Sequence, residues 1–312
     1  MSVTASFVPH ALPWAASEDD AAAIAAGLVQ SSEVLPLQAM ARCVTHAHAG
    51  GHTTLHHWAP TQPNGLAPLV LLHGGSGSWT HWVRSIQPLL HAGHDVWAVD
   101  LPGFGASDVP PGVMDADGML PVLAALLEAQ FPLQPVRLLG FSFGGMTAGM
   151  LAAAYPHLVQ QLVIVGAPGM GLTSKHPFRL KGWRHLPSPQ DQLLHHIYNL
   201  GALMLHNPRC IDRDTVALHV ANVRRDHLPR RRISSTDVLH RALTQVNCPV
   251  AAIYGACDVL YPDMLDQVEA MMAATVQQWQ GMQQIADAGH WVQYEQPDAF
   301  HQALLPLLTQ TF

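Results

Sequence analysis

Residues 140–145 read G-F-S-F-G-G and stand between an apolar run at 136–139 and a longer apolar run that suits a helix. A serine flanked by glycines in this strand-turn-helix context is typical of a reactive hydroxyl on a strained turn. Small residues at 140 and 144 let neighbouring backbone approach, and the helix N-terminus favours developing negative charge. The pattern predicts Ser142 as a nucleophile. The alternative is a tight turn that merely needs glycines.

A serine hydroxyl is a weak nucleophile until a base takes its proton, and an adjacent histidine can be that base. The chain has 21 histidines. Among them His290 follows an alternating strand at 282–286 and precedes a helix that begins near Pro297. We therefore interpret His290 as the general base, in a loop at the carboxyl edge of the predicted sheet. The alternative is a histidine that only satisfies a loop carbonyl.

The third catalytic group must accept the other imidazole N–H. Asp258 closely follows the apolar strand 250–254 and lies between the serine and the histidine in the chain. Asp263 and Asp287 are weaker candidates, because one precedes a helix and the other leads into the histidine loop. The alternative for Asp258 is an ordinary turn residue after a strand.

The oxyanion that forms on attack needs two backbone donors. The sequence His-Gly-Gly at 73–75 follows the apolar strand 68–72. The N–H groups of Gly75 and Phe143 are the predicted pair. A second glycine-containing loop, 100–105, borders the predicted site, and we interpret it as scaffold.

Neighbouring histidines elsewhere raise the question of a metal site. His46 with His48, and His195 with His196, have no carboxylate or cysteine set that would complete a zinc ligand pattern. We therefore expect these histidines at the surface or in the core. The sequence predicts an enzyme without metal or cofactor.

Short apolar strands that alternate with helical segments must position this chemistry. Such runs imply a parallel sheet covered on both faces, with reactive groups in the loops at the strand carboxyl ends. The predicted fold class is α/β. The runs are residues 68–72, 95–99, 136–139, 162–165 and 250–254.

The alternation is interrupted between 171 and 241, where helical runs at 190–205 and 214–225 replace strands. We predict that residues 171–241 form a helical lid inserted into a core made of residues 37–170 and 242–312.

The first part of the chain carries no residues to which we assign chemistry. Residues 1–36 are predicted to be an N-terminal extension with a helix at 20–28, introduced by Ser17 as its cap. Two strand-like runs between Leu37 and Trp58 flank Gly50-Gly51, which predicts a hairpin.

Composition limits the classes of function. Of the residues, 49% are apolar and 12% are charged, which excludes disorder, and the net charge of −7 offers no field for nucleic acid. The apolar stretch 146–154 is too short for a bilayer, which needs ~20 residues. We expect a small-molecule substrate and no nucleic-acid or membrane partner, and the sequence is compatible with a homo-oligomer.

The chain has one basic cluster, which is interrupted by Asp226 and consists of Arg224, Arg225, Arg230, Arg231 and Arg232. Such a cluster suits a solvated or salt-bridged helix end, and phosphate binding is the alternative.

The cysteines and the early charges bear on location. The four cysteines are far apart and form no C-x-x-C pair, which favours a reduced compartment. The first Lys or Arg is Arg42, so the positive segment of a secretory signal is missing. We expect a cytoplasmic protein.

The segments 73–75, 100–105 and 140–145, with Asp258 and the tripeptide at 289–291, occur in the order and spacing of the α/β-hydrolase family. The chain resembles that family from about residue 37 to its end. The resemblance implies an eight-stranded sheet, a helical cap after the sixth strand, and the triad and oxyanion donors on the residues named above.

Within this family the segment G-H-W-V-Q-Y-E at 289–295 and the cap length resemble the carbon–carbon bond hydrolases that cleave meta-ring-fission products of aromatic degradation. Those enzymes carry Asn just before the nucleophile and a second Asn after the oxyanion loop, where this chain has Phe141 and His81, while Trp291 agrees. The resemblance implies substrate contacts for these three side chains. It also implies that a cap arginine binds the acidic end of the substrate, with these candidates: Arg179, Arg184, Arg224 and Arg225.

The predicted function is that of a serine hydrolase acting on a small apolar carbonyl substrate, as a carbon–carbon bond hydrolase of the meta-cleavage type. A carboxylesterase is an almost equal alternative, because ester cleavage needs only the triad and the oxyanion hole. A non-catalytic ligand-binding protein on the same fold is an alternative from a different class.

Overall fold

A computed structural model describes residues 11–14, 17–173 and 178–309. Eight strands form one sheet: β1 (Arg42–His48), β2 (Gly51–Trp58), β3 (Leu69–Leu72), β4 (Val96–Asp100), β5 (Val136–Phe141), β6 (Val159–Val165), β7 (Val250–Gly255) and β8 (Trp279–Ile285). Their order across the sheet is β1-β2-β4-β3-β5-β6-β7-β8. Only β2 runs against its neighbours, since every pair from β4 to β8 is parallel. The predicted mostly parallel, eight-stranded sheet is confirmed.

The apolar runs form central strands because both of their faces are covered. Val70 and Leu72 of β3 belong to one buried cluster, whereas Leu69 and Leu71 belong to the cluster on the opposite face. This division follows from the two-residue period of a strand. The sheet therefore separates two cores, and its carboxyl edge stays open to the connecting loops.

Helices cover the two faces of the sheet. Those before β6 are α1 (Glu18–Ala25), α2 (Val34–Met40), α3 (Ile86–His91), α4 (Ala116–Gln130) and α5 (Phe143–Ala154). Those after it are α6 (Pro189–Asn199), α7 (Arg213–Arg224), α8 (Val238–Leu243), α9 (Leu265–Thr275), α10 (Val292–Glu295) and α11 (Pro297–Leu308).

The N-terminal extension follows the sequence prediction in one part and departs from it in another. Helix α1 begins after Ser17, whose hydroxyl accepts a hydrogen bond from the Asp20 N–H at 3.1 Å. The first strand-like run was expected from Leu37, but this residue lies in α2 and β1 begins at Arg42. The helix is compatible with Pro36 because a proline is tolerated in the first turn. Leu37 is buried there, and its carbonyl accepts a bond from the Trp58 indole.

The chain between β6 and β7 is helical. Its described residues, 166–173 and 178–249, contain α6, α7 and α8 and no strand. Helix α1 packs against α6 and α7, so the N-terminal extension contacts this segment. The division into a core and a lid stays a prediction.

Two expectations from the sequence, on membrane crossing and on the cysteines, can be compared with the described residues. Within them, no helix has both the length and the apolar content that a membrane crossing requires. All four cysteines lie in the described part of the chain and are free thiols.

Candidate active site

Ser142 stands on a sharp turn between β5 and α5. Its backbone has φ 52° and ψ −120°, a conformation that side chains rarely adopt, and its N–H donates to the Val165 carbonyl at 2.7 Å. A Cβ at Gly140 would lie 2.5 Å from the Gly144 carbonyl oxygen, and one at Gly144 would lie 2.4 Å from the Leu72 carbonyl oxygen. The turn therefore requires glycine at both flanking positions.

His290 lies between Ser142 and Asp258. Its Nε2 is 2.8 Å from the Ser142 hydroxyl, and its Nδ1 is 2.9 Å from Oδ2 of Asp258. The imidazole and the carboxylate are both almost fully buried, at 2% and 1% exposure. With the ring proton on Nδ1, His290 donates to Asp258 and accepts from Ser142. The structure thus brings together the three side chains that the sequence analysis singled out.

The carboxyl ends of neighbouring strands position these groups. Asp258 follows β7, His290 lies in the loop after β8, and Ser142 follows β5. Asp258 also accepts a bond from the Leu260 N–H at 2.9 Å through its second oxygen, which fixes the carboxylate plane. Gly166, after β6, has φ 57° and leaves room for the pair, since a Cβ there would lie 3.3 Å from Asp258.

The loop 73–76, called the oxyanion loop below, follows β3 and faces the serine turn. His73 Nε2 accepts from the Leu101 N–H at 2.9 Å, so the neutral ring carries its proton on Nδ1 and donates to the Gly74 carbonyl at 2.7 Å. Burial lowers the pKa of His73, which favours this neutral form. Within the described chain, neither Gly75 nor Phe143 donates its backbone N–H to an acceptor. Among the described residues, both predicted oxyanion donors thus lack an intramolecular acceptor.

A family model described as the alpha/beta hydrolase fold matches residues 67–188. This stretch contains the oxyanion loop and the serine turn. Over these residues the chain matches the α/β-hydrolase fold family, and the sheet has the eight strands predicted for that fold. The predicted resemblance to this family and the predicted fold are confirmed.

Several curated proteins similar to this chain carry the name 2-hydroxy-6-oxononadienedioate/2-hydroxy-6-oxononatrienedioate hydrolase. The protein from Paraburkholderia phymatum is 29% identical over 79% of this chain and 88% of its own length. The protein from Klebsiella pneumoniae is 25% identical, with the same shares covered. The predicted class of enzyme, a hydrolase, is confirmed by these relatives.

Solved structures show the same fold. A meta-cleavage product hydrolase from Pseudomonas fluorescens superposes with a TM-score of 0.66 at 20% identity, covering 82% of this chain and 93% of that one. The carboxylesterase CesB from Bacillus subtilis superposes with a TM-score of 0.69 at 16% identity, covering 94% and 100%. At these identities the likeness concerns the fold alone.

A first cavity of about 420 Å³ opens over Ser142 and His290. Its walls are largely apolar, with Phe141 and Phe143 beside the serine and Met170 opposite. The guanidinium of Arg231 is also part of the lining. A cavity of this size and character suits a small apolar ligand with few polar groups.

A second cavity of about 520 Å³ adjoins the first at Gly75 and Ser76. Among the described residues, four histidines line it: His81, His185, His196 and His219. His81 Nδ1 accepts from the Gly74 N–H at 3.2 Å, so its neutral ring carries the proton on Nε2. Burial keeps the pKa of His81 well below its usual value and lowers that of His219 to about 4. The imidazoles of His81 and His219 are therefore neutral near pH 7, and the lining also includes the cations Lys181 and Arg184.

The three side chains with implied substrate contacts lie at different depths. Phe141 lines the first cavity and His81 the second. Trp291 lies behind His81, because it is fully buried and its indole N–H donates to the His81 carbonyl at 2.9 Å. It also stacks on Tyr294 at 4.1 Å between ring centroids. Among the described residues it contributes to the walls of neither cavity.

The four arginines considered for an acidic substrate end do not line the first cavity in the described structure. Arg184 lines the second cavity, where its guanidinium lies over Trp183 at 4.7 Å. Arg224 donates to the Ala25 carbonyl at 3.0 Å, and Arg179 and Arg225 are exposed.

Sequence analysis did not single out several residues near the site. Arg231 was grouped with a helix-end cluster, yet it reaches the first cavity and pairs with Asp226 at 2.8 Å. Its pairing matches the salt-bridge interpretation, but nothing local in the sequence indicated contact with the oxyanion loop. Ser76 and Glu295, which contact backbone or side chains distant in sequence, gave no separate signal either.

No group of three potential metal ligands occurs in the described part of the chain.

Proposed function

We propose that this α/β hydrolase cleaves a small apolar carbonyl substrate by nucleophilic catalysis at Ser142. His290 acts as general base, Asp258 orients the imidazole, and the N–H groups of Gly75 and Phe143 stabilise the oxyanion. The proposal rests on one observation above all, the continuous hydrogen-bonded path from Asp258 through His290 to Ser142 at the floor of the first cavity.

Both steps of the reaction, transfer of the acyl group to Ser142 and its release by water, follow from this geometry. His290 takes the hydroxyl proton as Ser142 Oγ attacks the substrate carbonyl carbon, and Asp258 stabilises the imidazolium through Nδ1. The carbonyl oxygen becomes an oxyanion between the two free N–H groups at Gly75 and Phe143. Collapse expels the leaving group, which takes the proton from His290. Water, deprotonated by the same imidazole, then releases the acyl group from Ser142.

The finer proposal is that the scissile bond is a carbon–carbon bond in a vinylogous 1,5-diketone of the meta-cleavage type. The relatives named as hydrolases of oxononadienedioates support it at 25% and 29% identity. The two adjoining cavities also suit an elongated substrate that places one end in each of them. In such a reaction the dienol is first protonated to a ketone, which requires polar groups beside apolar walls. The Nε2–H of His81 and the imidazole of His219 are such groups in the second cavity.

Carboxylesterase activity is the second candidate, and a specific observation favours it. Phe141 precedes the nucleophile and presents an apolar ring to the first cavity, where meta-cleavage hydrolases carry a polar Asn. An ester needs no prior protonation of a dienol, because its leaving oxygen takes the proton from His290 as the tetrahedral intermediate collapses. An aryl or short acyl ester would fit the first cavity alone.

Turnover of two substrates separates these candidates. Wild-type protein and Ser142→Ala are each incubated with an aryl acetate and with a 2-hydroxy-6-oxo-dienoate, and product formation is followed by absorbance. The proposal predicts cleavage of the dienoate that is lost in Ser142→Ala. Ester cleavage without dienoate cleavage removes the carbon–carbon assignment and leaves the carboxylesterase. Turnover of both substrates by Ser142→Ala at the wild-type rate removes the nucleophile itself.

A non-catalytic receptor on this fold is the remaining alternative. It predicts that neither substrate is turned over and that a fluorophosphonate does not react with Ser142.

We further propose that residues 171–241 act as a lid over the two cavities. Helix α1 of the N-terminal extension packs against this segment.

A further inference from the structure

Ser76 adopts a backbone conformation that its side chain disfavours. Its φ is 51°, in the left-handed region that glycine usually occupies. It directly follows Gly75, the proposed oxyanion donor, so its conformation decides where the Gly75 peptide lies. A contact from elsewhere must offset the strain. The Ser76 hydroxyl donates to Oδ2 of Asp226 at 2.5 Å.

Asp226 is in turn fixed by Arg231. Nη1 of Arg231 lies 2.8 Å from Oδ1 and 3.1 Å from Oδ2 of Asp226, and Nη2 lies 3.1 Å from Oδ2. The side chains are 7% and 15% exposed. Burial alone would raise the pKa of Asp226, but the bond and the charge of Arg231 more than offset it and lower the pKa. The pair is therefore ionised and well shielded from water.

The guanidinium of Arg231 lies beside both residues that carry the proposed oxyanion donors. Its centre lies 5.3 Å from the Phe143 ring, and Nη2 lies 3.3 Å from the point where a Cβ on Gly75 would be. Nη2 also donates to the Ser76 hydroxyl at 3.3 Å. On its other side the guanidinium lies 4.8 Å from Phe104, which limits its movement.

From these contacts we infer that Asp226 and Arg231 are positioning residues for the oxyanion hole. The segment between β6 and β7 reaches back to the oxyanion loop and fixes the Gly75 N–H relative to that of Phe143. The arrangement acts on the transition state, because the distance between the donors matters only once the carbonyl oxygen carries charge. This inference rests on the proposed function of Ser142.

Ser76→Ala and Arg231→Met test it through the split between kcat and KM for whichever substrate the wild-type enzyme turns over. Removal of an oxyanion donor typically costs about 10²–10³ in rate. A displaced donor should cost less, so we expect kcat to fall by about 10- to 100-fold while KM changes by less than about 3-fold. The two changes disrupt one arrangement, so the double variant should lose little more than the worse single variant.

Arg241→Met is the matched control. It breaks the Asp237–Arg241 pair, which lies on the same segment but is 48% and 67% exposed at 3.2 Å. The control should keep the wild-type kcat. Should Arg231→Met fail to fold, Ser76→Ala alone decides the question.

The inference is overturned if kcat of Ser76→Ala equals that of the wild type, or if only KM rises. It is also overturned if the two losses multiply in the double variant. None of these results affects the loss of activity in Ser142→Ala, so this inference and the proposed function fail separately.

Discussion

Glu295 is a buried carboxylate that ties the His290 loop to the segment between β6 and β7. It accepts backbone N–H bonds from Gly289 at 2.6 Å, from His206 at 3.1 Å and from Asn207 at 2.5 Å. Gly289 directly precedes His290, so this carboxylate fixes the start of the loop that carries His290. Three donors converge on two oxygens, which an uncharged amide cannot match.

Glu295→Gln should therefore reduce both stability and activity. The amide nitrogen cannot accept a bond, and one or two backbone donors lose their partner, at about 1–3 kcal/mol each. We expect a lower urea midpoint and a lower kcat, because the His290 loop is less well fixed. The control Glu128→Gln removes an exposed carboxylate on α4 and should change neither quantity. Unchanged unfolding and turnover in Glu295→Gln would contradict this role.

At the scale of elements, helix α6 carries a histidine whose titration should be visible in the stability of the protein. His196 is fully buried, and neither ring nitrogen has a hydrogen-bond partner among the described residues. Burial, with the nearby charges of His219 and Arg224, lowers its pKa to about 2. In the unfolded chain a histidine titrates near pH 6.5. As the pH falls below about 6.5, the unfolded state therefore binds a proton that the folded state excludes, and the free energy of unfolding decreases.

His196→Phe should remove this acid sensitivity. Relative to the wild type, the free energy of unfolding of the variant should fall by about 1 kcal/mol less for each pH unit between about 5.5 and 4.5. Urea unfolding at several pH values measures the difference. His91→Phe, at an exposed position on α3, should not change the slope. Parallel pH profiles for wild type and His196→Phe would refute this explanation.

The helices and strands also show which structural features could be predicted from the sequence. The strand runs and the serine turn are local patterns, and the observed strands contain or overlap each predicted run. Helix α2 was not predicted, because its seven residues present a mixed apolar pattern and its burial depends on contacts with Trp58. The contact between Ser76 and Asp226 joins residues 150 positions apart, and no spacing along the chain could indicate it. The sequence did allow us to predict Asp258 rather than Asp263 beside His290. Asp258 closely follows a predicted strand, whereas Asp263 precedes a helix.

At the scale of the whole molecule, the N-terminal extension joins the segment between β6 and β7. Asp20 accepts hydrogen bonds from Arg213 of α7, and the Ser32 backbone N–H donates to Asp214 at 2.9 Å. Between these polar contacts, Ile24 is completely buried where α1 packs against α6 and α7. Residues 17–36 of the extension therefore contribute to holding α6 and α7 in place.

Ile24→Ala tests this arrangement. Loss of the buried side chain should cost about 2–4 kcal/mol, as for other large-to-small changes in a core. We expect faster amide hydrogen exchange in α6 and α7, with little change in β5, because the contacts that are lost belong to these helices. Leu28→Ala is the control, since Leu28 is 78% exposed. Equal loss of protection in β5, or none in α6 and α7, would be the contrary result.

The identity of the reacting group tests the whole account most directly. After brief treatment with a fluorophosphonate, peptide mass spectrometry of the digested protein locates the phosphonyl group. The account predicts one adduct, on Ser142, formed slowly in His290→Gln and absent in Ser142→Ala. An adduct on another serine, or labelling of Ser142→Ala at the wild-type rate, would contradict it.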